Sequence, residues 1–216
     1  MRPRGTLVLS ALLLALAAGT SSAHEPAPVR LPAPRITGGM PLMQALALRA
    51  TSRAFAPDPL PPQVLSNLLW AAWGINRPGE GKRTAPSARN WQEIDLVVVD
   101  ATGAFVYDAA GNLLKPLVAG DHRALTGTQG YAKDAPVTLV FVADTARMKG
   151  VPAADVQAYA WADAAFISQD VYLFCASEGL ATGVRASVDR TALAKALRLA
   201  PGRIIVFAQS VGYPKT

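Results

Sequence analysis

Residues 156–178 constrain the fold of this chain more than any other stretch. They hold no proline or glycine, and they are long enough for about six turns of helix. Apolar side chains fall on most sides of that helix, and Gly179 supplies its stop. A helix of this kind must be covered almost all round, either by a sheet in the core or by a second subunit. Asp163 and Gln169-Asp170 interrupt it, so it does not read as a membrane span. Apolar runs at 93–100, 136–143 and 203–211 predict the strands of such a sheet. Residues 104–107 and 113–114 predict a hairpin across Ala110-Gly111-Asn112. Shorter helices are expected at 41–49, from Pro61-Pro62 to Gly74, and at 191–197. Residues 76–90 are polar and aperiodic, a loop longer than a compact domain keeps without a use for it. Helices and strands interleave without a regular βαβ alternation, which favours an α+β fold over a doubly wound sheet.

The chain of 216 residues suits one domain. Its first residues read as something else. Arg2 and Arg4 precede an apolar run over 7–18, followed by the small residues Ser21-Ser22-Ala23. That order predicts a cleaved secretory signal peptide over 1–23. Pro3 separates the two arginines, so no twin-arginine pair is present. A proline-rich extended leader is expected over 24–40, then one domain over 41–216. The predicted location is the periplasm or the exterior. The single cysteine, Cys175, cannot form an internal disulfide and reads as a buried thiol. With only His24 and His122 as histidines, a zinc site lacks ligands. The net charge of +6 is dispersed. It suits a local pocket for an anionic ligand better than a nucleic-acid surface.

No GxGxxG, Walker or GxSxG motif occurs. Three other segments carry chemistry. In Arg49-Ala50-Thr51-Ser52-Arg53, two guanidiniums and two hydroxyls cluster where the first helix ends. Guanidinium forks match phosphate oxygens, and hydroxyls add neutral donors. Taken alone, the pair could equally be a solvated face or a helix cap. The turn Pro86-Ser87-Ala88-Arg89-Asn90-Trp91-Gln92 offers amides that both donate and accept. The stretch Gly179-Leu180-Ala181-Thr182-Gly183-Val184-Arg185-Ala186 reads as a turn, and its small residues leave room for backbone N–H groups to face a ligand.

In this order the three segments resemble the nitroreductase family. Supporting stretches are 65–78, 83–90 and Asp134-Ala135-Pro136, and the likeness spans about residues 41–213. Within the family they resemble its SagB-type branch, relatives of the oxidases that dehydrogenate azoline rings. The resemblance implies a mainly antiparallel sheet flanked by helices, an intertwined homodimer, and FMN at the subunit interface. It implies two-electron, ping-pong chemistry on a small molecule such as a nitro or quinone compound.

By that resemblance Arg49, Ala50, Thr51 and Arg53 hold the phosphate and ribityl end of FMN. Pro86, Ser87, Ala88 and Asn90 reach it from the partner chain, with Gln92 beside them. Gln129 lies near the pyrimidine edge of the ring. Gly183, Val184, Arg185 and Ala186 pass its reactive N5 side, with the Arg185 backbone N–H as the expected donor. Arg185 stands where many relatives carry Glu, which makes the pocket more positive and favours acidic substrates. Lys215 is the candidate for the basic phosphate contact that the family places beyond its last strand. No metal is implied, and no catalytic side chain is singled out, because Tyr107, Tyr131 and Tyr159 read as packing. Three other readings stay open: an azoline-type oxidase acting on peptides, a non-catalytic exported flavin-binding protein, and a binding module for another small anion.

Overall fold

A computed structural model describes residues 27–215. The predicted signal peptide lies outside the described residues. In chain order the elements are β1 (Val29–Arg30), α1 (Leu42–Leu48), α2 (Pro62–Trp73), β2 (Ile75–Arg77), β3 (Lys82–Arg83), β4 (Ile94–Val99), β5 (Gly103–Asp108), β6 (Leu113–Ala119), β7 (Val137–Asp144), α3 (Ala153–Glu178), β8 (Ala181–Arg185), α4 (Arg190–Ala196) and β9 (Arg203–Gly212). Seven strands form one sheet in the order β1-β6-β5-β4-β7-β9-β8. Each neighbouring pair is antiparallel. The fold is α+β, as expected.

The apolar runs of β4 and β7 are continuous because both faces of the sheet are covered. Leu96, Val98, Leu139 and Phe141 face α2 and α3 in one buried cluster. Val97, Val99, Val140 and Val142 alternate to the other face, where they meet Leu193 and Leu197 at α4. Alternating side chains on a pleated strand make that two-sided burial possible. Phe141 is fully buried, with its ring centroid 4.7 Å from that of Phe207. The N–H of Trp73 on α2 donates to the Ile94 carbonyl at 2.8 Å and fixes α2 to the start of β4.

Within one chain, the long helix is not buried all round. Ala160, Ala164, Ile167, Val171 and Cys175 face the sheet. Tyr159 and Phe166 are 40% and 50% exposed, so the opposite stripe of α3 lacks cover in the single chain. α1 is more open still. Only Ala45 is buried there, while Leu42, Met43 and Leu48 are each at least 60% exposed. No helix among the described residues is long and apolar enough to cross a membrane. Cys175 is buried, and burial pushes its thiol up to about 12, which leaves it inert.

Three stretches differ from the sequence reading. Residues 181–185 read as a turn but form β8, because pairing with β9 supplies the order that a Gly-containing pentapeptide lacks by itself. Within 76–90, β2 and β3 form a small antiparallel hairpin. The extended segment before α1 is docked against the domain. β1 pairs with β6, the Ser66 hydroxyl donates to the Pro32 carbonyl, and the Gln63 amide donates to the Ala33 carbonyl.

Candidate functional site

Tyr172 joins two of the three predicted segments. Its hydroxyl lies 2.9 Å from Thr51 Oγ1 and accepts the Val184 N–H at 3.1 Å. The Arg49 guanidinium sits over its ring, 5.4 Å from the centroid. The Ser52 N–H donates to the Thr182 carbonyl at 2.8 Å. The segment after α1 therefore runs along the open edge of β8. Gly183 permits this approach, since a Cβ there would lie 2.7 Å from the Ser52 carbonyl oxygen. Gly183→Ala is expected to cost about 1–3 kcal/mol through that overlap, read as a melting-point fall of roughly 2–4 °C per kcal/mol. An unchanged melting point would mean that the two strands are not in contact.

The third predicted participant in this cluster is the chain's tail. Phe55 bridges Pro214, and the Lys215 N–H donates to the Ala54 carbonyl at 3.3 Å. Lys215 thus comes beside Ala54, the residue that follows Arg53. Among the described residues, Arg49, Arg53 and Lys215 have no carboxylate partner. Ala50 and Thr51 are exposed in the same stretch.

The main-chain pattern of β8 bears on which amide is free to meet a ligand. Thr182 accepts from Ser52 and Val184 donates to Tyr172, so residues of even number turn their backbone groups away from β9. Alternation in an antiparallel pair then turns the Arg185 N–H toward β9. The next amide facing outward belongs to Ala186, which is exposed. The Arg185 side chain also turns inward. It donates to the Thr126 carbonyl at 2.9 Å, to Thr126 Oγ1 at 2.7 Å and to Ser210 Oγ at 2.8 Å. It clamps residues 126–129 to the sheet, and burial lowers its basicity. No carboxylate neutralises it among these contacts, so it remains a source of positive potential. Gln129 sits beside this clamp, and its Oε1 is buried without a hydrogen-bond partner. An apolar pocket of about 390 Å³ opens here, lined in part by Trp161, Tyr172, Val184, Ala186 and Phe207.

Pro86, Ser87, Ala88 and Asn90 are not brought to this cluster within one chain. The Ala88 N–H donates to Asp163 Oδ2 at 2.8 Å. Asp163 lies nine residues before Tyr172 on α3, about 13 Å along the helix axis. The turn is held tightly. The Gln92 N–H donates to Ser87 Oγ, and the Gln92 amide donates to Asn90 Oδ1. Arg89, Asn90 and Gln92 all have positive φ, at 48°, 56° and 49°. Three non-glycine residues in the left-handed region mark a backbone that its surroundings must enforce.

The sequence reading missed what enforces it. Glu93 is fully buried, and neither of its carboxyl oxygens meets a donor. Asp163 beside it is 3% exposed. Burial pushes Glu93 from 4.5 up to about 7, with Asp163 adding to the rise, and burial raises Asp163 against the opposing effects of the Ala88 N–H and Glu93. Two adjacent buried carboxyls cannot both ionise cheaply. The Ala88 N–H favours charge on Asp163, which leaves Glu93 as the carboxyl favoured to keep a proton. A lone Glu before an apolar strand gives no sequence signal of this, because its partner lies on a helix 70 positions away. Tyr172 was also missed, hidden in an apolar helix that read as core. No grouping of three metal-ligating side chains occurs among the described residues.

Comparison with known proteins agrees with this geometry. A model described as the nitroreductase family matches residues 46–213. A crystal structure of a candidate nitroreductase from Ralstonia eutropha is 38% identical, covers 96% of this chain and 97% of its own, and superposes at TM-score 0.85. A candidate nitroreductase from Anabaena variabilis is 16% identical over 81% of this chain and 38% of its own, at TM-score 0.69. The NADPH:FMN oxidoreductase of Vibrio harveyi, complexed with NAD+, is 18% identical over 81% of this chain and 69% of its own, at TM-score 0.60. At such identities the last two speak to the fold alone. A search of curated proteins gave no match. The chain belongs to the nitroreductase family, a family of oxidoreductases.

Proposed function

We propose that this protein is an FMN-dependent oxidoreductase that works as a homodimer. The observation that carries the reading is the convergence of Arg49, Arg53 and Lys215, three cations without carboxylate partners, beside the Thr51–Tyr172–Val184 junction and an apolar pocket. The residues fit the cofactor. The cations suit a phosphate. Trp161, Phe207 and Val184 suit a flat ring. Gln129 stays the proposed contact for the pyrimidine edge by family resemblance, its Oε1 being enclosed beside Arg185 in the single chain. The outward Ala186 amide takes the N5 role first expected of Arg185. FMN held there supplies hydride and electron transfer. The chain's own part is to hold phosphate and ring, to shield the pocket with aromatic walls, and to keep it positive through Arg185. Donor and acceptor then use one pocket in turn.

The homodimer reading rests on the uncovered apolar residues of α1 and the exposed stripe of α3. It also explains why the turn holding Ser87 and Asn90 stands apart from the cluster in its own chain, since in a dimer that turn serves the partner's site. FMN as cofactor is supported by the family and by the name of the Vibrio harveyi relative. We place the chain in the SagB-type branch on the stretches 65–78 and 83–90, and its mature chain from residue 24, with the leader at 24–40 docked on the domain over 41–216 through β1. Export through the peptide at 1–23 puts it in the periplasm or outside. There NAD(P)H is scarce, so another donor, or oxygen as acceptor, fits the location better. Turnover of an azoline peptide to its azole would establish the branch activity.

The test is a visible spectrum of purified protein incubated with FMN and desalted, together with size-exclusion chromatography. Flavin bands at one per chain on a dimer are expected. A protein that stays colourless points to a module for another anion. A tightly loaded monomer contradicts the shared site. Flavin that stays bound yet accepts electrons from no donor points to a non-catalytic carrier.

A further inference from the structure

A second cavity, of about 620 Å³, lies on the α4 side of the sheet. Val97 of β4, Val106 of β5, Leu117 of β6 and Val142 of β7 form its floor, and Leu199, just after α4, closes one side. The sheet separates this floor from α3, because Leu96, Val98, Leu139 and Phe141 alternate to the other face. α1 packs on α3. The uncovered stripes of α1 and α3 that suit a second subunit are therefore on the far side of the sheet from this cavity.

Five cations line it, Arg83, Lys115, Arg147, Arg198 and Arg203, against two carboxylates, Asp95 and Asp108. Most of that charge is neutralised inside the chain. Lys115 pairs with Asp108 at 2.6 Å. Arg147 and Arg203 share Asp95 and the neighbouring Asp144. Two cations are left over. Arg83 has no carboxylate partner among the described residues. It donates to Gln92 Oε1 and to the Trp73 carbonyl, each at 2.7 Å, and both acceptors are neutral. Burial, with Arg147 as a like charge, lowers its basicity. A half-buried guanidinium compensated only by neutral oxygens gains from an anion nearby.

Arg198 makes no ion pair among the described residues. Its φ is 52°, in the turn that closes α4, where its N–H donates to the Lys195 carbonyl and the Leu199 N–H donates to the Ala194 carbonyl. A closure of this kind favours glycine. The arginine therefore brings a charge to the cavity wall that the turn itself does not call for.

We propose that this cavity binds a small organic carboxylate with an apolar body, with Arg198 taking its charge, Arg83 adding positive potential, and the body lying on Val97, Val106, Leu117 and Val142. A guanidinium fork matches a carboxylate, and an apolar floor selects against a bare hydrated anion. The cavity shares no lining residue with the pocket assigned to FMN, so the proposal stands whether or not FMN binds.

The probe is 2-naphthoate, titrated into the purified protein by calorimetry. 2-Naphthylmethanol serves as the uncharged control, and inorganic phosphate as the anion without an apolar body. Saturable binding of the naphthoate, at least roughly tenfold tighter than either control, is expected. Added salt should weaken it. Arg198→Gly removes the cation and relieves the backbone. It should keep the native melting point or exceed it, and weaken the naphthoate by roughly tenfold. Flavin absorption is read in the same samples. A naphthoate that perturbs the flavin bands and binds Arg198→Gly as tightly as the native protein sits in the flavin pocket, which overturns the proposal. Equal binding of the alcohol or of phosphate overturns it as well. Loss of FMN uptake with naphthoate binding intact would count against the flavin reading alone.

Discussion

As pH rises from 4.5 through about 7, the protein is expected to lose on the order of 3 kcal/mol of folding stability at one buried pair. The sign follows from Glu93. Its folded value is raised by burial and by Asp163, so in this window the folded chain holds a proton that the unfolded chain has released. The stabilisation is complete below 4.5 and disappears as pH rises through about 7. Above that, two buried charges face each other, with Arg147 as the nearest compensating cation. Asp108 and Asp121 act in a different window. Lys115 and Arg123 hold them below their usual 3.8, so their contribution is lost only in stronger acid. Urea unfolding across a pH series measures the slope. Glu93→Gln should remove the part of the slope that belongs to this pair and leave the part from Asp170, which burial raises to about 6. The variant should be more stable than the native protein above pH 7. A native protein whose stability is flat or rising across this window would remove the proton held on Glu93.

The same titration bears on the proposed site through the turn it holds. Asp163 anchors Ala88, and Ala88 leads into the strained residues Arg89, Asn90 and Gln92. When Glu93 ionises, repulsion acts on the carboxylate that fixes this turn. Loosening is therefore expected at 86–92 before it reaches the sheet.

How much of this was visible in the chain depends on the range of the interactions involved. β4, β7 and β9 were legible because strands covered on both faces carry unbroken apolar runs. α2 was legible because Pro62 starts it and Gly74 ends it. β8 was not, since Gly183 at the centre of the short segment Ala181–Arg185 reads as a turn, and the strand exists by pairing with β9. In the candidate site, Arg49, Thr51, Arg53 and Gly183 were named from local chemistry, and the structure brings them together. Which amide of β8 faces outward depends on strand parity, and parity is fixed by the partner strand. The sequence reading named both Arg185 and Ala186, and parity adds a way to choose between their amides. Tyr172, Glu93 and Asp163 act through partners dozens of positions away, and nothing local distinguishes them from core residues.

Replacing Arg49 and Arg53 together by Ala is expected to weaken FMN binding by at least roughly a hundredfold, since each charged hydrogen bond to a phosphate contributes about 1.5–3 kcal/mol. Folding should change little. Arg53 is exposed, and Arg49 makes only its contact with the Tyr172 ring. Tyr172→Phe should behave differently. It keeps the ring beneath Arg49 but removes the acceptor of the Val184 N–H and the partner of Thr51. A loss of about 1–3 kcal/mol in stability is expected from the unsatisfied amide, with a smaller fall in affinity. Riboflavin separates the two roles because it carries the ring without the phosphate. The double Arg variant should bind riboflavin as the native protein does and lose the native preference for FMN. Tyr172→Phe should weaken both ligands in similar proportion, because it disturbs the junction between the phosphate segment and β8. A double Arg variant that still prefers FMN to riboflavin would place the phosphate elsewhere on the molecule, and Lys215→Ala would be the next variant to examine.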